Sequence, residues 1–248
     1  MASRETYMKI LQLNAWSNRL DLRVVKLISE ENPDVICLQE MFSSPYELGF
    51  FISFEELMEQ IEYPYHYYSP LYSMAFMSGQ VKYGNLILSK LPLENPSTVF
   101  TNLQYLDNFD FNLQDYNVRN FQHVIVESNG KKINIINHHG YHIHEHKQGD
   151  EHTMKATHQI KDFIDTLEGP VVLTGDFNLA PTSPSMQVLD ESLRNLSTEY
   201  SLETTRNDLT SKSEVCDYIF VSNDLTVNDF HMSDIEASDH NGLIADIS

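Results

Sequence analysis

Carboxylate and amide side chains that could hold a metal ion and a phosphate follow apolar segments of this chain. Asp176 and Asn178 come directly after the apolar run 171–173 and are two residues apart. Because alternate residues of a strand point to the same side, both side chains would face one site at the end of a buried strand. Glu40 follows a second apolar run, 35–38, and Asp239 lies near the C-terminus. Mg²⁺ and Mn²⁺ prefer such oxygen ligands.

These residues together predict a metal-dependent site for phosphoester hydrolysis. We expect Glu40 and Asp239 to act as metal ligands. The amides of Asn14 and Asn178 would orient water, metal or phosphate oxygen without adding negative charge. A bound divalent ion would offset the charge on the phosphate oxygens and lower the pKa of bound water.

An acid–base pair is predicted from Asp217 and His240. An aspartate that accepts a hydrogen bond from one imidazole nitrogen fixes the tautomer, and the other nitrogen then faces the reacting group. His139 comes at the end of another apolar segment. It would hydrogen-bond a phosphoryl oxygen or protonate a leaving group.

Short strands with a few helices between them must position these residues. The apolar patterns predict strands over 8–13, 35–38, 85–89, 123–127, 132–137, 171–173, 218–221 and 243–247, and helices over 20–31, 54–61 and 151–167. A turn at 128–130 would join two of these strands into a hairpin. The aromatic-rich segment 41–83 is predicted to form a wall beside the site. Polar residues at strand ends from both halves of the chain are typical of two packed sheets flanked by helices.

Seven short motifs occur in one order along the chain. They are Leu13-Asn14, Leu38-Gln39-Glu40, Tyr83-Gly84-Asn85 with Ile87-Leu88-Ser89, Asn137 to His139, Gly175 to Asn178, Asp217-Tyr218-Ile219 and Ser238-Asp239-His240. On these motifs the chain, from Met8 to its C-terminus, resembles the endonuclease/exonuclease/phosphatase (DNase I-like) superfamily. The resemblance implies an α/β fold, a four-layer α/β/β/α sandwich with the site at one end of the two sheets.

The resemblance also implies a role for each matching residue. Glu40 would be the principal metal ligand, with Asn14 and Asp239 nearby. Asp176 and Asn178 would position the attacking water and the phosphate. Asp217 and His240 would form the acid–base pair, and either Asp176 or His240 would take the proton of the water. His139 would contact the phosphate. The family's usual Thr-His-Leu is replaced here by His138-His139-Gly140, so His139 is preferred to His138 on register.

Several substrate classes remain open from the sequence. We predict a phosphodiesterase that uses Mg²⁺ or Mn²⁺ and acts on nucleic acid or on a small phosphodiester. The Asn14-Ala15-Trp16 motif is similar to the neutral sphingomyelinase branch, whereas Gly175 to Asn178 is a form shared with nucleases. A sphingomyelinase-like enzyme, a phosphatase of inositol phosphates and a non-catalytic binding module on the same fold are the alternatives. The histidine-rich stretch 138–152 leaves a second metal site as a further alternative.

Composition narrows the setting of this chemistry. The 248 residues suit a single domain over 1–248, taken here as a monomer. A formal net charge of −20 disfavours tight binding of long duplex nucleic acid, although it does not exclude a phosphoester substrate. The polar N-terminal segment predicts neither a secretory signal nor a membrane span, so we expect a cytoplasmic protein. Cys37 and Cys216 lie in apolar segments and are predicted to be reduced core thiols.

Overall fold

Two mixed β-sheets lie face to face in the structure, a computed structural model that describes residues 7–76 and 79–248. The strands in chain order are β1 (Met8–Asn14), β2 (Val35–Ser43), β3 (Tyr65–Phe76), β4 (Gly79–Ser89), β5 (Leu93–Asn102), β6 (Arg119–Ser128), β7 (Lys131–His139), β8 (Val171–Asp176), β9 (Arg194–Asn195), β10 (Asp217–Val221), β11 (Val227–Met232) and β12 (Leu243–Ile247). Residues 1–6, part of the segment predicted to carry no signal, lie outside the described residues. So do residues 77 and 78 of the predicted wall.

Each sheet contains six strands. The first has the order β11-β12-β1-β2-β4-β3, and the second has the order β5-β6-β7-β8-β10-β9. Strands β1 and β2 run parallel, with Asn14 opposite Gln39, and β7 and β8 run parallel, with His139 opposite Asp176. Strand β10 runs antiparallel to β8 and pairs Asp217 with Asp176. These registers bring the polar ends of strands from both halves of the chain to the same edge of each sheet.

Helices cover the outer face of both sheets. The helices are α1 (Asp21–Glu31), α2 (Phe54–Met58), α3 (Glu151–Ile164), α4 (Pro184–Asp190) and α5 (Leu196–Glu199). Val24 and Leu27 of α1 pack on the first sheet, whereas Ile160 of α3 and Met186 of α4 pack on the second. The layers therefore follow the order helix, sheet, sheet, helix, which confirms the predicted four-layer sandwich.

The two-residue period of the strands divides the core between inner and outer faces. In β1, Ile10 packs between the sheets with Val172 and Ile219, and Leu11 packs against α1. Burying one such side chain contributes roughly 1.5–3 kcal/mol to folding. The inner face of β1 continues from Ile10 to Gln12, which is also fully buried. The space between the sheets thus changes from apolar to polar along the strands.

Most predicted elements are present, with changed bounds. The predicted hairpin is confirmed as β6 and β7, and the predicted helices are confirmed as α1, α2 and α3. Helix α2 ends at Met58 and α3 at Ile164, earlier than predicted. Strands β3, β5, β9 and β11 and helices α4 and α5 were not predicted; β3 lies within the segment interpreted as a wall. Its alternation is hidden because both of its faces carry aromatic residues.

Glu40 does not lie at a strand end, so that prediction was wrong. Strand β2 continues to Ser43, and its register against β4 shifts between Leu38 and Met41. The backbone of Glu40 has a φ of 62°, in the left-handed region. A bulge of this kind turns one side chain out of the regular alternation. It lets Glu40 reach the site from within the strand.

The state of the cysteines and the lengths of the helices bear on two further predictions. Cys37 and Cys216 are free thiols in the buried interior, as predicted. Across residues 7–76 and 79–248, no helix is both long enough and apolar enough to cross a membrane.

Candidate active site

A cavity of about 440 Å³ opens where the space between the sheets becomes polar. Its size lies within the range of small-molecule sites, roughly 300–1,000 Å³. Seven of the eight predicted site residues line the cavity: Asn14, Glu40, His139, Asp176, Asn178, Asp239 and His240. The eighth, Asp217, lies fully buried beneath His240. The structure therefore gathers all eight residues that the sequence singled out.

Asn14 joins two carboxylates at the floor of this cavity. Its Nδ2 donates to Oε1 of Glu40 at 3.1 Å and to Oδ2 of Asp176 at 2.9 Å. Its Oδ1 accepts a hydrogen bond from the backbone N–H of Trp16 at 3.1 Å, which fixes the orientation of the amide. The sequence predicted Asn14 as a metal ligand. Its amide nitrogen, and not its oxygen, faces the carboxylates here.

Asp176 is buried and receives donors on both oxygens. Oδ1 accepts from the backbone N–H of Asn178 at 2.8 Å, and Oδ2 lies 3.7 Å from Nε2 of His240. Burial alone would raise the pKa of the Asp176 carboxyl, but His240 and Arg206 hold that pKa below its ordinary value. The side-chain Oδ1 of Asn178 accepts from Nζ of Lys147 at 3.0 Å. Asp176 thus stays ionised, and the cationic side chain of Lys147 lies beside Asn178, two residues further along the chain.

Asp217 orients His240 through a hydrogen bond of 2.8 Å from Nδ1 of His240 to its Oδ2. Asp217 also accepts from Thr205 Oγ1 at 2.6 Å and from Gln12 Nε2 at 3.1 Å. Burial lowers the pKa of His240, but Asp217 and Asp176 outweigh it and raise that pKa. The predicted aspartate–histidine pair has the geometry expected of it, with Nε2 directed to the cavity.

Arg206 is a site residue that the sequence did not reveal. It is only 5% exposed, and its guanidinium Nη1 contacts Oδ2 of Asp239 at 3.2 Å and Nε2 of His240. Its Nε is buried and has no partner among the described residues. A guanidinium can only donate, so its contact with Nε2 uses the lone pair of a neutral imidazole. Arg206 therefore supplies a fixed positive charge beside the acid–base pair.

His139 and His138 have different environments. Nε2 of His139 lies 3.8 Å from Oε1 of Glu40, and its Nδ1 is buried with no partner in the described part of the chain. Burial and Arg119 lower the pKa of His139 well below its ordinary value, so the ring is neutral at pH 7. This neutral state favours donating a hydrogen bond over protonating a leaving group. Nδ1 of His138 instead bonds the carbonyl of Asn120 at 3.1 Å, outside the cavity.

A buried chain of amides beneath the cavity also escaped the sequence analysis. Gln12 Nε2 donates to Gln39 Oε1 at 3.1 Å, and Gln39 Nε2 donates to Asn137 Oδ1 at 2.6 Å. Asn137 Nδ2 donates in turn to Gln122 Oε1 at 2.9 Å. These residues come from both sheets, so the hydrogen-bonded amides link the sheets directly below the site. Polar residues inside otherwise apolar strands are the signal that marked it in the sequence.

The donors around the cavity suit a hard divalent cation. Within the residues described, one group of three acidic or histidine side chains has ligand atoms within 4.8 Å of one another, namely Asp176, Asp217 and His240. Both oxygens of Asp217 already accept hydrogen bonds, so we interpret Asp217 as the partner of His240. Glu40 faces the cavity with a side chain 23% exposed, beside the carboxylate of Asp176. Carboxylate oxygens are ligands for Mg²⁺ or Mn²⁺.

The histidine-rich stretch does not gather around a common centre. His142 Nδ1 and His144 Nε2 both bond the hydroxyl of Tyr116, at 2.8 and 2.9 Å. His152 stacks on Tyr141 instead, with ring centroids 4.8 Å apart. No histidine cluster of three ligands occurs in residues 7–76 and 79–248.

A strained turn borders the cavity at the end of β1. Trp16, Ser17 and Asn18 have φ values of 48°, 59° and 53°, all left-handed. For Trp16 and Ser17 this conformation costs roughly 1–2 kcal/mol per residue compared with a right-handed one, whereas asparagine adopts it more readily. Asn18 Nδ2 donates to the carbonyl of Ile52 at 3.3 Å, and the turn is also tied to Asn14 through Trp16. Strain of this kind is retained where the surrounding structure enforces it.

Comparisons with known proteins agree with this architecture. The sequence profile described as "Endonuclease/Exonuclease/phosphatase family" matches residues 11–240. No curated protein sequence matches the chain. An endonuclease/exonuclease/phosphatase of Bacteroides vulgatus superposes with a TM-score of 0.74 at 19% identity, over 98% of this chain and 99% of that one. The mannosyl-6-phosphatase Bt3783 of Bacteroides thetaiotaomicron gives 0.66 at 17% identity, over 97% and 99%. The human Nocturnin catalytic domain with bound sulfate gives 0.69 at 17% identity, over 98% and 94%.

Proposed function

This chain belongs to the endonuclease/exonuclease/phosphatase family, and we propose that it is a divalent-metal-dependent hydrolase of small phosphoesters, phosphodiesters foremost. The observation that carries the proposal is the bridge from Glu40 through Asn14 to Asp176, whose Oδ2 lies 3.7 Å from Nε2 of His240. Carboxylates held this close repel one another and favour a cation between or beside them. An acid–base pair next to such a cation is what hydrolysis by water requires.

The proton-transfer groups are Asp176 and the pair of Asp217 and His240. Asp217 holds the Nδ1 proton of His240, so Nε2 is the nitrogen that takes or returns a proton at a reacting oxygen. Oδ2 of Asp176 faces the same space and is the other group able to accept the proton of the water. Cys216 is not a nucleophile for this reaction, because it is buried and burial raises the pKa of its thiol to about 12. We propose that water attacks the phosphorus directly, without a covalent intermediate.

The phosphate-binding groups surround these residues. Arg206 and Lys147 bring positive charge beside Asp239 and Asn178, and His139 offers a neutral imidazole. Charge that is fixed before the reaction stabilises the additional charge of the transition state without reorganisation. We propose that Arg206, His139 and the amide of Asn178, which line the cavity, contact the phosphoryl oxygens, and that Lys147 acts through its hydrogen bond to Asn178.

Mg²⁺ or Mn²⁺ would be held by Glu40 and Asp239, beside Asn14. When bound, the ion offsets charge on the phosphoryl oxygens and lowers the pKa of bound water. Asp239 now pairs with Arg206, so metal binding and this ion pair would share one carboxylate.

The size and charge of the cavity support a small substrate. Its lining includes four basic side chains, Arg19, Arg119, Arg206 and Lys212, against the carboxylates of Glu40, Asp176 and Asp239. The protein as a whole carries a net charge of −20, which repels a long polyanion. A cavity that contains basic side chains, in an otherwise acidic protein, therefore favours a small phosphoester over duplex nucleic acid. Location in the cytoplasm stays a prediction.

The first experiment measures hydrolysis of bis(p-nitrophenyl) phosphate and p-nitrophenyl phosphate with Mg²⁺, Mn²⁺ or EDTA. We expect metal-dependent turnover of the diester, and one relative that carries the name mannosyl-6-phosphatase makes the monoester the necessary comparison. Asp176→Asn should abolish turnover. Asp165→Asn, which alters an exposed aspartate paired with Lys161, is the matched control and should not. A folded wild-type protein that hydrolyses neither ester with any metal would favour the non-catalytic binding module.

A further inference from the structure

Among the arginines in the described part of the chain, Arg19 differs in having no oxygen partner. The described residues include five arginines, and Arg23, Arg119, Arg194 and Arg206 each donate to a carboxylate or a carbonyl. Arg19 donates to neither, although the chain has 36 acidic residues against 16 basic ones. An unpaired guanidinium in so acidic a chain is available to an anion from outside.

Two aromatic rings hold the guanidinium of Arg19 at the cavity wall. Its Cζ lies 4.7 Å from the ring centroid of Trp16 and 5.3 Å from that of Phe51. Contacts of this type restrain a planar cation through its faces. The N–H groups at its edge stay free, and a guanidinium edge matches a carboxylate or phosphate in paired hydrogen bonds.

The backbone before Arg19 fixes its place relative to the acid–base site. The left-handed residues Trp16, Ser17 and Asn18 precede it directly. One end of this turn is bonded to Asn14, the residue between Glu40 and Asp176, and the other to Ile52 beside Phe51. The strained turn therefore connects the reacting centre to the guanidinium. A conformation that costs free energy and places an unpaired cation in the cavity is most simply explained by ligand binding.

We propose that Arg19 binds a second anionic group of the ligand, a phosphate or carboxylate separate from the phosphate at the reacting centre. This inference rests on the proposed function only in taking the ligand to be the substrate. In the proposed function Arg206 and His139 bind the reacting phosphate, so the guanidinium of Arg19 is available to another part of the molecule. Arg19 is thus a specificity-determining residue that favours substrates with two anionic groups.

Binding of phosphonates tests this without any hydrolysis, because their P–C bonds are not phosphoesters. Alkane-α,ω-diphosphonates of one to six carbons are titrated calorimetrically beside alkylphosphonates of the same length, at constant Mg²⁺. We expect one range of chain lengths at which the diphosphonate binds about tenfold more tightly than the alkylphosphonate of the same length. One additional charge-assisted contact provides a gain of this size. Arg19→Gln should reduce this advantage to within about twofold, and Arg19→Lys should retain part of it.

The matched control is Arg23→Gln, which removes the same charge from an exposed arginine paired with Glu236, outside the cavity. This variant should keep the full advantage. Unchanged affinity of Arg19→Gln for the monophosphonates shows that its site remains folded. The inference is overturned if the wild type gains nothing from the second phosphonate at any length, or if Arg19→Gln keeps the gain. If the wild type hydrolyses no phosphoester but still binds the diphosphonate more tightly, the proposed function is rejected and the anion site at Arg19 is retained.

Discussion

Replacing Asp217 with asparagine is expected to impair both turnover and stability. Three donors converge on this buried carboxylate: Nδ1 of His240, Oγ1 of Thr205 and Nε2 of Gln12. Thr205 Oγ1 already accepts from the backbone N–H groups of both Cys216 and Asp217, so only its proton is left for the carboxylate. An amide has one acceptor oxygen and a donating NH₂ group, so at least one of the three donors would meet another donor.

The expected size of each effect follows from these contacts. A hydrogen bond to a charged group contributes about 1.5–3 kcal/mol, so losing the one that orients His240 should reduce turnover roughly 10- to 100-fold. A buried donor left without an acceptor costs about 1–3 kcal/mol of unfolding free energy. Gln12 has a buried Oε1 without a partner, and rotating its amide would offer that oxygen to the new NH₂ group. The rotation would set Oε1 of Gln12 against Oε1 of Gln39, so it offsets little of the cost.

Turnover of the best aryl phosphoester and urea unfolding measure the two effects on the same preparations. Asp246→Asn is the matched control, because Asp246 is a buried aspartate in β12 whose Oδ1 has no partner in the described residues. Burial raises the pKa of Asp246, so its charge disfavours folding at neutral pH and its removal should not destabilise the protein. The reasoning fails if Asp217→Asn retains wild-type turnover, or if it unfolds no more readily than Asp246→Asn.

Four shorter predictions concern the metal, the basic site residue, pH and the strained turn. Glu40→Gln should raise the Mg²⁺ concentration for half-maximal activity about 10- to 100-fold in a metal titration, and an unchanged titration curve would remove Glu40 from the ligands. Arg206→Gln should lower kcat/KM about 100-fold, with partial recovery in Arg206→Lys; equal rates for all three proteins would exclude a role in charge stabilisation. Burial lowers the pKa of His138 to about 4, so the folded state holds fewer protons than the unfolded state between there and about pH 6.5. Stability should therefore fall as pH decreases through this window, by up to about 3 kcal/mol, and His138→Gln should reduce the slope of unfolding free energy against pH. Ser17→Gly should raise the unfolding free energy by roughly 0.5–1 kcal/mol in urea, because glycine relieves the left-handed strain and loses part of that gain to entropy; a loss of stability would show that the turn is not strained.

The strand period explains which site residues were accessible from the sequence. Ile133, Ile135, Asn137 and His139 alternate along β7, and the first two pack between the sheets. The same period therefore directs His139 inward and His138 outward, so their different environments followed from register. The strands that form apolar runs were equally accessible, whereas β3, β5 and β11 lack such a run and were not predicted.

Arg206 and the bulge at Glu40 depend on interactions that sequence patterns do not carry. Arg206 reaches the site through an isolated bridge to His240, 34 residues further along the chain. The residues around it have no periodicity that would place them on a helix or strand. The bulge is set by how β2 pairs with β4, and the apolar run of β2 gives no sign that the strand continues beyond it. Both features arise from pairing between distant segments.

The chain of buried amides ties the geometry of the site to the relative position of the two sheets. Gln39 of β2 bonds Asn137 of β7 at 2.6 Å, and Gln12 of β1 bonds Asp217 of β10 at 3.1 Å, so both bonds cross between the sheets. Apolar contacts between sheets tolerate small displacements, because dispersion is non-directional. Buried hydrogen bonds do not, since a displaced partner leaves an unsatisfied polar group. The site residues Asn14 and Glu40 belong to one sheet, whereas Asp176 and Asp217 belong to the other. The amides therefore hold the two halves of the site in register, a function for which an apolar core of equal stability would not suffice.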